Sequence, residues 1–412
     1  YDCGNSAYFT TVITAVFPSF FATYAAAGMP AAEATARFAG ITTVSVAAVA
    51  ITAPVLGALA DYSGNKKRLF GIFLIVGILS CAAMVLIGEG DVALASTLFF
   101  IGNIGVSGSL VFYDSLLPHV ARPEETDRVS AAGYALGYVG GGTLLLINLA
   151  WILQPQWFGF GSTTSAVKAS FLSVAVWWAI FSLPLFRRVP EPPVRLDPGD
   201  VRHASAIKGA LVRLGHTFRE IRRYKQAFLF FLAMLFYQDG IQTIIRMAAV
   251  YGAEIGIEQT SQIAAFVMVQ FLGIPFAILF GSLGQRIGTK RAIFVAIAVY
   301  ALATILGYFM TTVTHFFILA ALVATVQGGA QALSRALFSR MIPVNKTSEF
   351  FGFFAVAERF ATVLGPLVFT LSVAVTGSSR TAVLVILLFF VAGAWLLSLV
   401  DEAEGLRAAR EG

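Results

Sequence analysis

Charge is what this sequence has least of. Only 12% of its 412 residues are Asp, Glu, Lys or Arg, about half the share of a soluble domain. The two cysteines, Cys3 and Cys81, lie in or beside apolar runs, which excludes a disulfide framework and marks them as inert packing residues. The histidines, His119, His203, His216 and His315, are scattered. No His/Cys/Asp set has the spacing of metal ligands, so neither a metal nor any other cofactor is expected. No glycine-rich loop ends in Gly-Lys-Ser or Gly-Lys-Thr, which excludes ATP as an energy source. No catalytic constellation is present, so an enzyme is not expected. The long apolar runs do not alternate as barrel strands would.

What is present is apolar. Hydrophobic residues make up 58% of the chain, and the mean hydropathy is +0.81. A bilayer core of about 30 Å needs about 20 apolar residues per helix. Twelve runs qualify, at about 3–26, 38–60, 69–88, 92–115, 129–153, 166–186, 226–250, 260–284, 291–312, 315–338, 351–374 and 381–400. In lipid each must satisfy its own backbone, so all are helices. The expectation is an all-α membrane protein with twelve transmembrane helices.

The net charge of +6 is not a nucleic-acid footprint, because the basic residues follow membrane topology. If the first helix leaves the cytoplasm, 23 of the 28 Lys and Arg residues fall on one side. Arg37, Lys168 and Arg380 fall on the other, and Arg246 and Arg359 lie within helices. By the positive-inside rule both ends are cytoplasmic. The expected location is a bacterial inner membrane, with the bilayer itself as partner and the protein as a monomer. A short segment is expected to precede Tyr1, and the first helix would itself serve for targeting.

The chain divides into a six-helix bundle over 1–186, a polar linker over 187–225, a second bundle over 226–401 and a tail over 402–412. Residues 189–200 of the linker are rich in proline and acid and read as extended chain. Beyond them Ile207, Leu211, Leu214, Phe218 and Ile221 recur at helical spacing, with Arg213, Arg219, Arg222 and Arg223 mainly outside that stripe. This predicts a basic amphipathic helix on the membrane surface, or a partner-docking helix.

The two bundles echo one another. Gly57, Asp61, Gly64 and the cluster Lys66, Lys67, Arg68 follow the second run; Gly281, Gln285, Gly288, Lys290 and Arg291 follow the eighth. Leu117-Pro118 and Ile342-Pro343 form a second echo. Parallel six-helix repeats joined by a long loop are a transporter architecture. With these residues the chain resembles the major facilitator superfamily, whose two pseudo-symmetric six-helix bundles form the expected fold. Gly57, Asp61, Gly64 and Lys66 to Arg68 match its signature between helices 2 and 3; Gln285 departs from it. The resemblance implies that Gly57, Asp61, Gly64, Lys66 and Arg68 gate the cytoplasmic side by latching the halves together. Asp61 would meet a neighbouring helix N-terminus or Arg128.

Local strings narrow the resemblance. They are Tyr1-Asp2-Cys3-Gly4-Asn5-Ser6-Ala7-Tyr8, Gly133 to Gly141, Asp239-Gly240-Ile241-Gln242-Thr243, Ser334-Arg335 and Phe350-Phe351-Gly352. Together they resemble the autophagy-related vacuole effluxer-like branch, which implies export of amino acids.

Charge in mid-membrane costs about 2.5–3.5 kcal/mol per residue on insertion scales and marks candidate sites. Asp239, Gln242, Thr243 and Arg246 follow one another at i, i+3, i+4 and i+7, which predicts one cavity-lining face. Glu358 and Arg359 lie in the eleventh run. Asp239 and Glu358 are the candidate proton carriers, and each is also readable as half of a structural ion pair. Gln327, Gln331, Ser334 and Arg335 share a face of the tenth run, with Arg335 as a gate or a membrane anchor. Asn103, Asn5 and Tyr8, with Tyr134, Tyr138 and Gln270, add hydrogen-bonding capacity or simple packing polarity. Asp114 is placed to pair with loop arginines or to meet substrate. Gly365-Pro366 and Pro275 can bend their helices.

The reading is a secondary active transporter of a small polar or zwitterionic solute, with protons as the candidate coupling ion. The alternatives are an exporter of lipids or amphiphiles, for which 37 phenylalanines speak, and a transport-inactive receptor or scaffold.

Overall fold

A computed structural model describes residues 1–193, 224–360, 364–376 and 378–411, and among these there is no strand. Among the described residues eleven helices are long and apolar enough to span a membrane. We number the spans in chain order. The first half comprises α1 (Asp2–Ala25), α2 (Ala31–Ser63), α3 (Lys66–Leu86), α4 (Val92–Ser115), α5 (Thr126–Leu153) and α6 (Thr163–Arg188). The second comprises α7 (Lys225–Glu254), α8 (Gln259–Ile287), α9 (Thr289–Tyr308), α10 (Val313–Arg340), α11 and α12 (Arg380–Ser398).

Helix α11 accounts for the twelfth expected run and is described over Thr347–Phe360 and Leu364–Thr376. Helix α1 is irregular: it is π-wound over Tyr8–Val16 and Phe21–Ala25, on either side of Pro18. Such widened turns cluster at working sites. Elsewhere the starts are capped by short side chains, Asp91 on α4, Ser162 on α6 and Thr312 on α10. Gly64 ends α2 at φ 68°, a left-handed turn that a glycine adopts without strain.

Each half packs around its own core. One gathers buried side chains from Ala7 to Leu185, including Phe17, Phe99, Phe171 and Trp178. The other runs from Tyr224 to Val400, including Tyr237, Tyr300, Phe338 and Phe390. The halves meet where α2 packs on α11 and α5 on α8 and α10. A terminal helix, α13 (Glu402–Glu411), tucks against the second half: the Asp401 N–H donates to Gln226 Oε1 at 2.9 Å and Gly405 packs on Met341. The proposed amphipathic helix of the linker lies outside the described residues.

Candidate functional site

The loops that carry Lys66–Arg68 and Lys290–Arg291 lie at one end of the molecule, here called the basic side. There, among the described residues, three clusters of polar contacts join the two halves.

The first lock is the Gly57–Arg68 motif. Asp61 is buried; its Oδ1 pairs with Lys66 Nζ at 2.8 Å, and its Oδ2 accepts from the Glu349 N–H at 2.8 Å. Glu349 lies in the first turn of α11, so a carboxylate of one half sits on a helix N-terminus of the other, where negative charge is stabilised. Lys66 also donates to Thr347 Oγ1 at 2.6 Å. Gly57 permits this approach, because an added Cβ would fall on the Ser348 carbonyl oxygen. Of the two partners expected for Asp61, the helix N-terminus is present, while Arg128 is exposed and elsewhere. Arg68 is exposed as well.

The second lock sits at the other copy of the motif. Gln285 lacks the charge, and its Nε2 donates to the Glu124 carbonyl at 3.0 Å. The acid comes instead from the opposite half. Asp127, in the first turn of α5, accepts from Thr289 Oγ1 at 2.7 Å and lies 3.4 Å from Arg340 Nη2. Sequence alone gave the second copy no latch partner. Its one signal was an acid next to Arg128.

Arg335 of α10 makes the third contact and is almost fully buried. It enters a pocket built entirely by the first half. Its Nη1 meets Asp114 Oδ1 at 2.9 Å, its Nη2 lies 3.7 Å from Asp2 Oδ2, and its Nε donates to Ser130 Oγ at 3.0 Å. The guanidinium stacks 4.7 Å from the Tyr134 ring and 5.8 Å from that of Tyr113. The Tyr113 hydroxyl donates to Asp2 Oδ2 at 2.7 Å. Asp114 thus pairs with a helix arginine. Asp2, visible as an acid at the head of an apolar run, completes the set.

Toward the opposite side lies a cavity of about 400 Å³. Helices α1, α7, α8, α9, α10 and α12 wall it. Most of the lining is apolar, and its polar groups are Thr10, Thr14, Gln242, Tyr251, Gln262, Gln270, Thr304, Gln327 and Gln331. Among the described residues no charged side chain lines it.

The expected single face of α7 is split. Gln242 reaches the cavity, as do Gln327 and Gln331. Asp239 and Thr243 instead face Gly365 of α11: Asp239 Oδ1 accepts from the Gly365 N–H at 2.8 Å. A Cβ at Gly365 would strike Thr243 Oγ1. Thr243 Oγ1 donates to the Asp239 carbonyl at 2.7 Å. Asp239 Oδ2 is buried without a hydrogen-bond partner among the described residues. Arg246 is exposed and makes no ion pair among the described residues. The side chains of Glu358 and Arg359 lie outside the described residues. Asn5, Tyr8 and Asn103 are buried within the first half, off the cavity wall. Tyr8 packs against Gly102 and Trp178, and Asn103 Nδ2 donates to the Phe99 carbonyl at 2.8 Å.

A family model described as vacuole effluxer Atg22 like matches residues 29–410. YxiO, an MFS-type transporter of Bacillus subtilis (strain 168), is 38% identical over 405 residues, covering 98% of this chain and 93% of that protein. Autophagy-related protein 22 of Yarrowia lipolytica is 28% identical over 314 residues, 70% of this chain, and the match spans 52% of the fungal protein. Among solved structures, the proton:xylose symporter XylE aligns with TM-score 0.70 at 13% identity, over 98% of this chain and 94% of that one. FucP in the outward conformation aligns with TM-score 0.66 at 12% identity, over 97% of each chain. At these identities the two structures speak for the fold alone.

Proposed function

The chain belongs to the Atg22-like vacuole effluxer family of major facilitator transporters, and from that premise we propose that it moves a small solute by alternating access between its two halves. The observation that carries this reading is the opposition of a locked basic side to a cavity reaching toward the other side. The positive-inside rule supports reading the basic side as cytoplasmic and the arrangement as an outward-facing state. The three locks act as gate contacts that must break together when the halves rock.

The test needs no known cargo. Ser348 Oγ donates to Ser115 Oγ across the halves at 3.0 Å, close enough for a cysteine pair to bridge. Both native cysteines are buried and would be replaced by alanine. A third cysteine, Gln331→Cys, reports cavity access to a membrane-impermeant maleimide in oriented vesicles. Alternating access predicts labelling from either side when positions 115 and 348 are reduced. When they are disulfide-linked, labelling should come only from the side opposite the basic loops. Labelling confined to that side under both conditions would sink the reading and favour a static receptor.

Asp239 is the proposed proton carrier. It is a buried mid-membrane acid, costly while charged, and it accepts from the Gly365 N–H of α11. Protonation would weaken its acceptance from Gly365 and free α11, which packs on α2. Basic-side labelling of Gln331→Cys should therefore rise as pH falls. Asp239→Asn, which keeps an acceptor oxygen but cannot titrate, should remove that pH dependence; an unchanged pH response would reassign the coupling. Asp239→Leu removes the acceptor as well and should lower Tm.

The resemblance implies a zwitterionic, amino-acid-like cargo, for which Asp239, Arg246 and Glu358 would supply charge. A second reading, an exporter of uncharged or amphiphilic compounds, is favoured by one observation: the described cavity wall is apolar and amide-lined.

A further inference from the structure

We propose that the pocket filled by Arg335 is a cation receptor in its own right. When the halves part, it takes a free guanidinium-bearing solute from the basic side in place of the protein's own arginine. The proposal rests on the alternating-access reading above, because only parting of the halves empties the pocket.

The polar groups that hold Arg335 all belong to the first half. Helix α1 supplies Asp2, α4 supplies Tyr113 and Asp114, and α5 supplies Ser130 and Tyr134. Ser130 serves twice, since its carbonyl also accepts from Arg335 Nη2 at 3.1 Å. A guanidinium offers five N–H donors in one plane. Here its edges approach two carboxylates, a hydroxyl and a carbonyl, and its face lies against tyrosine rings, which suits a flat, delocalised cation. Gly133 completes the shape: an added Cβ would fall on Asp2 Oδ2 and lie 3.0 Å from Arg335 Nη2.

Contacts inside the first half hold these groups in place without help from Arg335. The Tyr113 hydroxyl donates to Asp2, and the Tyr1 hydroxyl pairs with Ser109 Oγ at 2.6 Å, tying α1 to α4. Helix α1 beds against Gly137 and Gly140 of α5, where an added Cβ would strike Ser6 and Cys3. The walls therefore stay together when α10 withdraws, and a preformed site loses little ordering entropy on binding. Two carboxylates left without their cation continue to attract one.

Position gives the receptor a consequence. Arg335 follows the cavity residue Gln331 by one helical turn, a rise of about 6 Å. The emptied pocket thus borders the path between the cavity and the basic side. A cation seated there blocks the return of Arg335 and holds that side open.

The probe is guanidinium chloride at millimolar concentration, with sodium chloride at equal ionic strength as the control. The whole chain is held in nanodiscs, and alkylation of a Ser348→Cys reporter is followed from the basic side with the native cysteines replaced. With Arg335 present, guanidinium competes for the open pocket and should speed alkylation. In Arg335→Ala it fills the closed pocket, pairs Asp2 and Asp114, and should slow alkylation. Each effect should reach about tenfold at ten times the Kd of the favoured state. Guanidinium should also raise the Tm of Arg335→Ala by more than that of the native protein. Adding Asp114→Asn to Arg335→Ala should abolish both responses. Methylammonium, a point charge without the planar fork, should act at least tenfold more weakly.

Opposite signs in the two proteins separate pocket binding from any general action of salt or denaturant. A native rate that ignores guanidinium would overturn the proposal. So would an Arg335→Ala protein whose Tm and alkylation do not respond. The Tm shift of Arg335→Ala needs no movement of the halves. One-sided labelling of Gln331→Cys would therefore remove the transport reading, and with it the opening that empties the native pocket, even where Arg335→Ala still binds the cation.

Discussion

Arg335→Ala is expected to open the basic side by more than a hundredfold in population. The guanidinium is the one cation that the second half inserts among Asp2, Asp114, Ser130, Tyr113 and Tyr134 of the first. Removing one partner of a buried ion pair costs about 3–5 kcal/mol, because the remaining charge stays buried and unpaired. That penalty falls on the locked state alone. Once the halves part, water reaches the two carboxylates. Each 1.4 kcal/mol is about a tenfold shift, so the locked state should lose about two to three orders of magnitude. A cysteine at Ser348, shielded between the halves, reports the change: its alkylation from the basic side should accelerate by that factor. An unchanged rate would mean that the other two contacts hold the side shut alone. Arg335→Lys should recover only part of the lock, because an ammonium cannot hold Asp114 and Ser130 with the planar fork of a guanidinium.

Gly57→Ala is expected to act in the same direction through sterics. The new methyl group would occupy the place of the Ser348 carbonyl oxygen, with the Glu349 Cα 2.9 Å away. Both are backbone atoms, so no rotamer change relieves the clash and α2 must back away from α11. Asp61 then loses the Glu349 N–H. Overpacking of this kind costs about 1–3 kcal/mol, and the broken hydrogen bond to a charged acceptor adds about 1.5–3 kcal/mol. The same Ser348→Cys reporter should show faster alkylation, by at least tenfold. Gly40 lies on the same helix with nothing within 4 Å of an added Cβ. Gly40→Ala should leave alkylation unchanged and raise Tm slightly, since alanine is favoured over glycine inside a helix by about 0.5–1 kcal/mol. A Gly57→Ala protein that labels like Gly40→Ala would remove the close approach from the gating account.

These expectations draw unevenly on sequence and structure. Asp61 was legible as a candidate latch residue through the family resemblance of the Gly57-to-Arg68 motif, and the structure does bring it to the Glu349 N–H of the other half. Its partner was legible only as a pair of alternatives. The acid that serves the second motif was not legible, because Asp127 and Thr289 stand 162 positions apart and no local pattern joins them. The face of α7 was misassigned in part. Steps of three and four residues both return toward one side of a helix, yet at about 100° per residue Gln242 and Thr243 still diverge by about that angle. In this fold that angle is the difference between the cavity and the Gly365 N–H of α11.

Sequence by itself determined that the chain is a membrane protein of repeated helices and that its basic loops gather on one side. Those follow from local physics: apolar runs long enough for the bilayer, backbones that must be satisfied within each run, and charges that resist crossing. Only the tertiary structure decided which polar groups meet. It placed Arg335 in a pocket of the other half, lent Asp127 to the motif that had lost its acid, turned Asp239 toward Gly365, and left the amides of Gln242, Gln270, Gln327 and Gln331 to the cavity. Helix periodicity fixes which residues share a face, but the packing of one helix against another fixes what that face sees.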